Sequence, residues 1–224
     1  MYDRGEIMSI NEQKTILKFI YDDKFLCSTL SANRADFEFD LTTKNIPIEI
    51  FKIKQRILER ENLKEYDSHT YLGDLITFIL PGGRIPRHTD KNGIDGRIHV
   101  RFNVFLQLPN ICQTFYDGIL VDTIERHYVM CRSGIDIHWT DINRSNMTRI
   151  ALSFGFMLPI DKVSELYKIP SEHNTGFRNM IQIRYIYYLI LSTYKYFRFG
   201  NRSTTYDPKI PFVEICGEEA TLKV

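Results

Sequence analysis

Cysteine is scarce. The 224 residues hold four, Cys27, Cys112, Cys131 and Cys216, and no two of them form a C-x-x-C pair. A chain of this length can bury enough surface to fold without covalent staples, so they read as free, buried thiols in a reducing compartment rather than as a disulfide framework. An excess of either charge is also missing: 29 Lys and Arg against 28 Asp and Glu leave a formal net charge of +1, which gives no strong field to draw in nucleic acid. Long apolar runs are absent too. The most apolar stretch, "YIYYLILSTY" from Tyr185 to Tyr194, lies between Arg184 and Lys195. It is half the roughly 20 residues a spanning helix needs, and reads as a buried helix. The opening "MYDRGEIMSINEQK" contains no apolar core of signal-peptide type. The expectation is a cytoplasmic protein with no membrane segment. Glycine, at 12, is outnumbered by phenylalanine, at 15, and by tyrosine, at 13, which favours a packed core over disorder. There is no internal repeat and no low-complexity linker.

What is present is a change of periodicity along the chain. The first 65 or so residues are mixed, and their clearest element is "NIPIEIFKIKQRILER". There Ile46, Ile50, Ile53 and Ile57 recur at helical spacing and Pro47 suits a first turn. Short strands with turn signals come next: "YLGDLITFIL", "HVRFNVFLQLP", "QTFYDGILVDTIERHYVMCRSG" with a hairpin break at Asp117-Gly118, and "TRIALSFGFMLP" closing at Pro159. That spacing predicts a β-barrel or sandwich. Beyond Pro159, "DKVSELYKI" and the stretch from Phe177 to Phe199 read as helices, the second as core or as a homodimer interface. The expected organisation is one globular unit: residues 1–65 as mixed and helical support, 66–160 as the β core, and 161–224 as a helical extension.

Strand alternation adds information about faces. In "TRIALSFGF", Ile150, Leu152, Phe154 and Phe156 fall on one side, and Arg149, Ala151, Ser153 and Gly155 on the other. Small residues with a single arginine suit a surface that leaves room for a ligand, with the bulky face packed on helices. In "HVRFNVFLQL", Val100, Phe102, Val104, Leu106 and Leu108 oppose His99, Arg101, Asn103, Phe105 and Gln107. For this second set, a pocket wall and a solvated polar face are both open.

"PGGRIPRHTDKNG" places His88 and Asp90 two apart at a strand end, after the Gly82-Gly83 turn. A strand holding both points them to the same face. A further histidine, His138, precedes a polar turn-like segment, and Arg149 opens the next strand eleven residues later. Two imidazoles and one carboxylate on a β scaffold can occupy one face of an octahedron and leave three positions open, the donor set of non-haem Fe(II) oxygenases.

In these residues the sequence resembles the Fe(II)- and 2-oxoglutarate-dependent dioxygenases, whose pattern is His-x-Asp, a distant His, and an Arg or Lys some ten residues on. The resemblance spans about residues 70–160 and carries His88, Asp90, His138 and Arg149 in that order. It is nearest to the prolyl-hydroxylase-like and aspartyl/asparaginyl-hydroxylase-like branches. Many of the latter use fewer protein ligands, and Asp90 departs from that pattern. The resemblance implies a mainly β protein with a double-stranded β-helix (jelly roll) core and flanking helices. It also implies Fe(II) held by His88, Asp90 and His138, with 2-oxoglutarate and O₂ as cosubstrates. Arg149 then anchors the far carboxylate of 2-oxoglutarate, aided by Ser153, while Asn103 and Arg101 are further candidates for the cosubstrate pocket. His99 and His127 are the rivals to His138; His99 follows Asp90 too closely for the family pattern, and His127 lies 22 residues before Arg149. The implied activity is hydroxylation of a peptidyl or free amino acid, or of another small molecule, with conversion of 2-oxoglutarate to succinate and CO₂. The competing expectation is a cupin-like binding protein that keeps the jelly roll without oxygen chemistry or uses another metal.

Overall fold

Nine strands and three helices form the described part of the structure, a computed structural model that describes residues 3–22, 34–38, 46–68, 73–90 and 97–167. The chain runs β1 (Asp3–Glu6), α1 (Ile10–Asp22), β2 (Arg34–Glu38), α2 (Ile48–Arg60), β3 (Asp74–Ile79), β4 (Ile98–Gln107), β5 (Thr114–Tyr116), β6 (Ile119–Val121), β7 (His127–Cys131), β8 (His138–Thr140), β9 (Arg149–Leu158) and α3 (Ile160–Leu166). The expected helix at Phe177–Phe199, most of the 161–224 extension, and Cys27 and Cys216 lie outside the described residues. Cys112 and Cys131 are free and buried. Among the described residues, no helix is long and apolar enough to cross a membrane.

Two antiparallel sheets face each other. The larger has the order β1-β7-β4-β9-β3-β2 and the smaller β6-β5-β8. The stretch before Asp90 extends the small sheet beyond β8: Thr140 N donates to Ile85 O at 3.1 Å, and His88 and His138 exchange backbone bonds of 3.1 and 2.8 Å. From β3 onward the chain therefore crosses repeatedly between the sheets, passing through residues 85–88, β4, the β5–β6 hairpin, β7, β8 and β9. This alternation is a double-stranded β-helix, or jelly roll. The hairpin turns at Asp117 and Gly118, with φ of 50° and 85°. Both are left-handed, as a two-residue turn matched to strand twist requires.

The large sheet buries its outer face against the helices. Ile150, Leu152, Phe154 and Phe156 of β9 share one core with Val100, Phe102 and Val104 of β4, Ile16 and Ile20 of α1, and Ile50, Ile53 and Ile57 of α2. The inner face of β9 carries Arg149, Ala151 and Ser153 into a cavity between the sheets. The strand thus has the two-faced register its sequence suggests.

β4 keeps its alternation only as far as Phe105. Phe105 pairs with Ala151 and Gln107 with Ile150, so Leu106 is an extra residue in the ladder. Such a bulge re-aims the side chains beyond it. Gln107 does not join Asn103 on the inner face; it accepts from Tyr21 Oη on the helix side and donates to Thr148 O. Leu108 moves inward, against the cluster of Phe105, Val121 and Val129.

Candidate metal centre

His88, Asp90 and His138 come together at the rim of that cavity, with one donor atom from each lying within 4.8 Å of the others. His88 and His138 are brought level by their backbone bridge, which sets the two imidazoles with centroids 4.2 Å apart. Asp90 is held by its own amide, which donates to Ser133 O at 2.7 Å.

Each imidazole is oriented by a carbonyl. His88 Nδ1 lies 2.7 Å from Pro86 O, and His138 Nδ1 lies 3.0 Å from Asp136 O. A carbonyl only accepts, so each Nδ1 carries the hydrogen and each Nε2 presents its lone pair, the tautomer a metal needs. Those Nε2 atoms lie 3.5 and 3.9 Å from Asp90 Oδ1. Burial pushes His138 down to about 4, assisted by His88 and Arg101 and opposed by Asp90, so the ring is neutral at neutral pH. Burial works to raise Asp90, but Arg101, His88 and His99 outweigh it and hold the carboxyl well below its usual range. Two imidazoles and one carboxylate, brought together at one cavity, fit a divalent transition metal with open positions.

The cavity measures about 60 Å³, enough for several water-sized groups. Arg149, deep in it, is buried. Its Nη2 donates to Thr114 Oγ1 at 2.8 Å, and its guanidinium lies 5.1 Å from the centre of the Phe105 ring. Ser153 and Asn103 also line the cavity, each already engaged: Ser153 Oγ accepts from Arg101 Nη1 at 2.9 Å, and Asn103 Nδ2 donates to Tyr116 Oη at 3.2 Å. The inner face of β4 is therefore a pocket wall. His127 lies apart on β7, with Nδ1 3.3 Å from Asp3.

Several cavity residues belong to no motif in the sequence. Thr114 and Tyr116 point inward from β5, and Tyr116 pairs with His138 across the small sheet. Their signal is the Asp117-Gly118 turn, which fixes the register of the β5–β6 hairpin and so sets Thr114 and Tyr116 on one face. His99, which its spacing excludes from the ligand pattern, is fully buried with Nδ1 3.2 Å from Asp90 Oδ2.

No protein-family model matches the chain, and no curated protein does either. Solved structures do. A Pseudomonas putida prolyl-4-hydroxylase superposes with a TM-score of 0.51 at 16% identity, covering 70% of this chain and 91% of that one. A prolyl hydroxylase from Trichoplax adhaerens, in complex with a hypoxia inducible factor peptide fragment, gives 0.54 at 12%, covering 75% and 86%. HygX from Streptomyces hygroscopicus, with nickel and 2-oxoglutarate bound, gives 0.52 at 10%, covering 70% and 81%. HygX has also been crystallised with hygromycin B in addition to these. At such identities the likeness is one of fold: the chain shares the jelly roll of these structures.

Proposed function

We propose that the protein is an Fe(II)- and 2-oxoglutarate-dependent oxygenase, most simply a hydroxylase. One observation carries the reading: a single cavity is lined both by His88, Asp90 and His138, with one donor atom of each within 4.8 Å of the others, and by the buried Arg149. In this reading residues 66–160 are the catalytic core, with 1–65 as support and 161–224 as an extension.

The chain's own residues bind and orient. His88, Asp90 and His138 would hold the iron, the histidines through Nε2 and the aspartate through its carboxylate. Arg149, already bonded to Thr114, offers its planar fork to the far carboxylate of 2-oxoglutarate. Arg101 and Arg149 line the cavity against one carboxylate, Asp90, and the one excess positive charge favours an anionic cosubstrate. The apolar ring of Phe105 and the buried Ala151 keep water from the cosubstrate end. Iron with 2-oxoglutarate and O₂ supplies the oxidising chemistry, coupling decarboxylation to succinate and CO₂ with hydroxylation of a substrate C–H bond. The peptide in one structural neighbour and hygromycin B in another mark two substrate classes to try, a peptidyl or free amino acid and a small molecule.

The test is Fe(II)-dependent formation of succinate from 2-oxoglutarate in air, with His138→Ala as control. Turnover in the wild type that is lost in the variant is the expected result. No succinate above the control, with peptide and small-molecule candidates present, contradicts the reading.

A further inference from the structure

Asp90 divides its two oxygens between different neighbours. Oδ1 lies toward the histidines, 3.5 and 3.9 Å from their Nε2 atoms. Oδ2 accepts from Arg101 Nε at 2.8 Å and has His99 Nδ1 at 3.2 Å. Arg101 also donates from Nη1 to Ser153 Oγ at 2.9 Å, so one planar group is fixed at two points. Its backbone sits in a central strand of the large sheet, paired with Cys131 on one side and Gly155 on the other. Gly155, directly across the ladder, places no side chain beside the guanidinium.

This arrangement matters because a carboxylate free to turn can bind a metal through both oxygens. With two imidazoles, a two-oxygen carboxylate fills four of six octahedral positions and leaves too few for a chelating cosubstrate together with O₂. A guanidinium that occupies Oδ2 prevents this. We propose that Arg101 is a positioning residue that confines Asp90 to ligation through Oδ1 and so keeps three metal positions open. The proposal rests on the oxygenase reading and adds a role that the ligand set alone does not contain. Arginine suits it better than lysine, because two donors of one rigid plane fix a direction that a single ammonium does not.

The test uses Co(II)-loaded full-length protein, with binding followed through the visible bands of the metal. Two anions are titrated: 2-oxoglutarate, which needs two adjacent metal positions, and azide, which needs one and is added both to the Co(II) protein alone and to the protein saturated with 2-oxoglutarate, where only a third position can take it. In Arg101→Met, azide affinity in the presence of 2-oxoglutarate is expected to fall at least about tenfold, while azide affinity without 2-oxoglutarate and Co(II) affinity each change by less than about threefold. Arg101→Lys, which keeps the charge, is expected to show the same ordering with a smaller loss, and serves if the methionine variant does not fold. An equal weakening of azide with and without 2-oxoglutarate in Arg101→Met, with full recovery in Arg101→Lys, overturns the proposal in favour of a charge effect. Unchanged azide affinity of the 2-oxoglutarate-saturated Arg101→Met protein overturns it outright. Loss of Co(II) binding in both variants reduces Arg101 to structural support of the site and also overturns it. Wild-type protein that takes up no Co(II), or Co(II) without 2-oxoglutarate, contradicts the oxygenase reading itself and with it this proposal.

Discussion

Along β9, the residues that face the helices and those that face the cavity obey different rules. Ile150, Leu152, Phe154 and Phe156 are each 0% exposed and share one apolar core. Their job is volume, and another apolar side chain of similar size would serve. Arg149, Ala151 and Ser153 alternate with them on the same strand, yet there particular atoms matter: a guanidinium against Thr114, a small side chain that leaves space, a hydroxyl that receives Arg101. In the proposed function one strand carries stability on one side and ligand chemistry on the other, and substitutions should separate the two.

The largest separation is expected from Phe154→Ala. It removes a fully buried ring that sits across from Phe102 in the sheet, and should cost about 3–5 kcal/mol in urea denaturation. The folded fraction should keep its affinity for metal and 2-oxoglutarate; a parallel loss of affinity would break the division between faces. Arg149→Ala is the complement. It should weaken apparent 2-oxoglutarate affinity by about 30-fold to several thousand-fold, the equivalent of roughly 2–5 kcal/mol, with little change in metal affinity. Arg149→Lys should recover only part, since the charge returns without the fork. Succinate formation at several cosubstrate concentrations measures both variants.

Smaller effects belong to the helix layer. Ser9 and Glu12 form a reciprocal cap at the start of α1, with Ser9 N donating to Glu12 Oε2 at 2.8 Å and Glu12 N to Ser9 Oγ at 3.3 Å. Ser9→Ala should cost about 1 kcal/mol of stability and leave turnover untouched. The hydrogen-bonded Arg56 is the main cause holding Glu12 down at about 2, with burial opposing and Ser9 helping, against an ordinary value of 4.5. The unfolded chain therefore takes up this proton first. The stability Glu12 confers is complete above pH 4.5 and fades as the pH falls toward 2. Glu12→Gln should flatten that acid limb by less than about 1 kcal/mol, because the pair is partly solvated. Thermal unfolding across that range checks it.

What the sequence made legible was whatever depends on local period. The two faces of β9, the helix after Pro47 and the hairpin at Asp117-Gly118 all come from spacing and turn chemistry. The β-bulge at Leu106 was not legible, since no glycine or proline marks it, and it carried Gln107 and Leu108 to the opposite sides. The cap on α1 is written in "SINE", but it sits in a region whose period looks mixed. His99 and Arg101 reveal their relation to Asp90 only when β4 packs beside the turn that carries it, a contact no period encodes. The candidate triad of His88, Asp90 and His138 stood out because its residues resemble a known order, while the groups that orient the two imidazoles, the carbonyls of Pro86 and Asp136, are backbone and have no sequence signature.

The central claim, that His88, Asp90 and His138 hold an iron to which 2-oxoglutarate chelates, is tested most directly by anaerobic titration with Fe(II) and then 2-oxoglutarate. The expected result is a weak visible charge-transfer band that saturates at one equivalent of each and is missing from His88→Ala and His138→Ala, both still folded. A wild-type protein that develops no band, or a band that persists in both histidine variants, would contradict it.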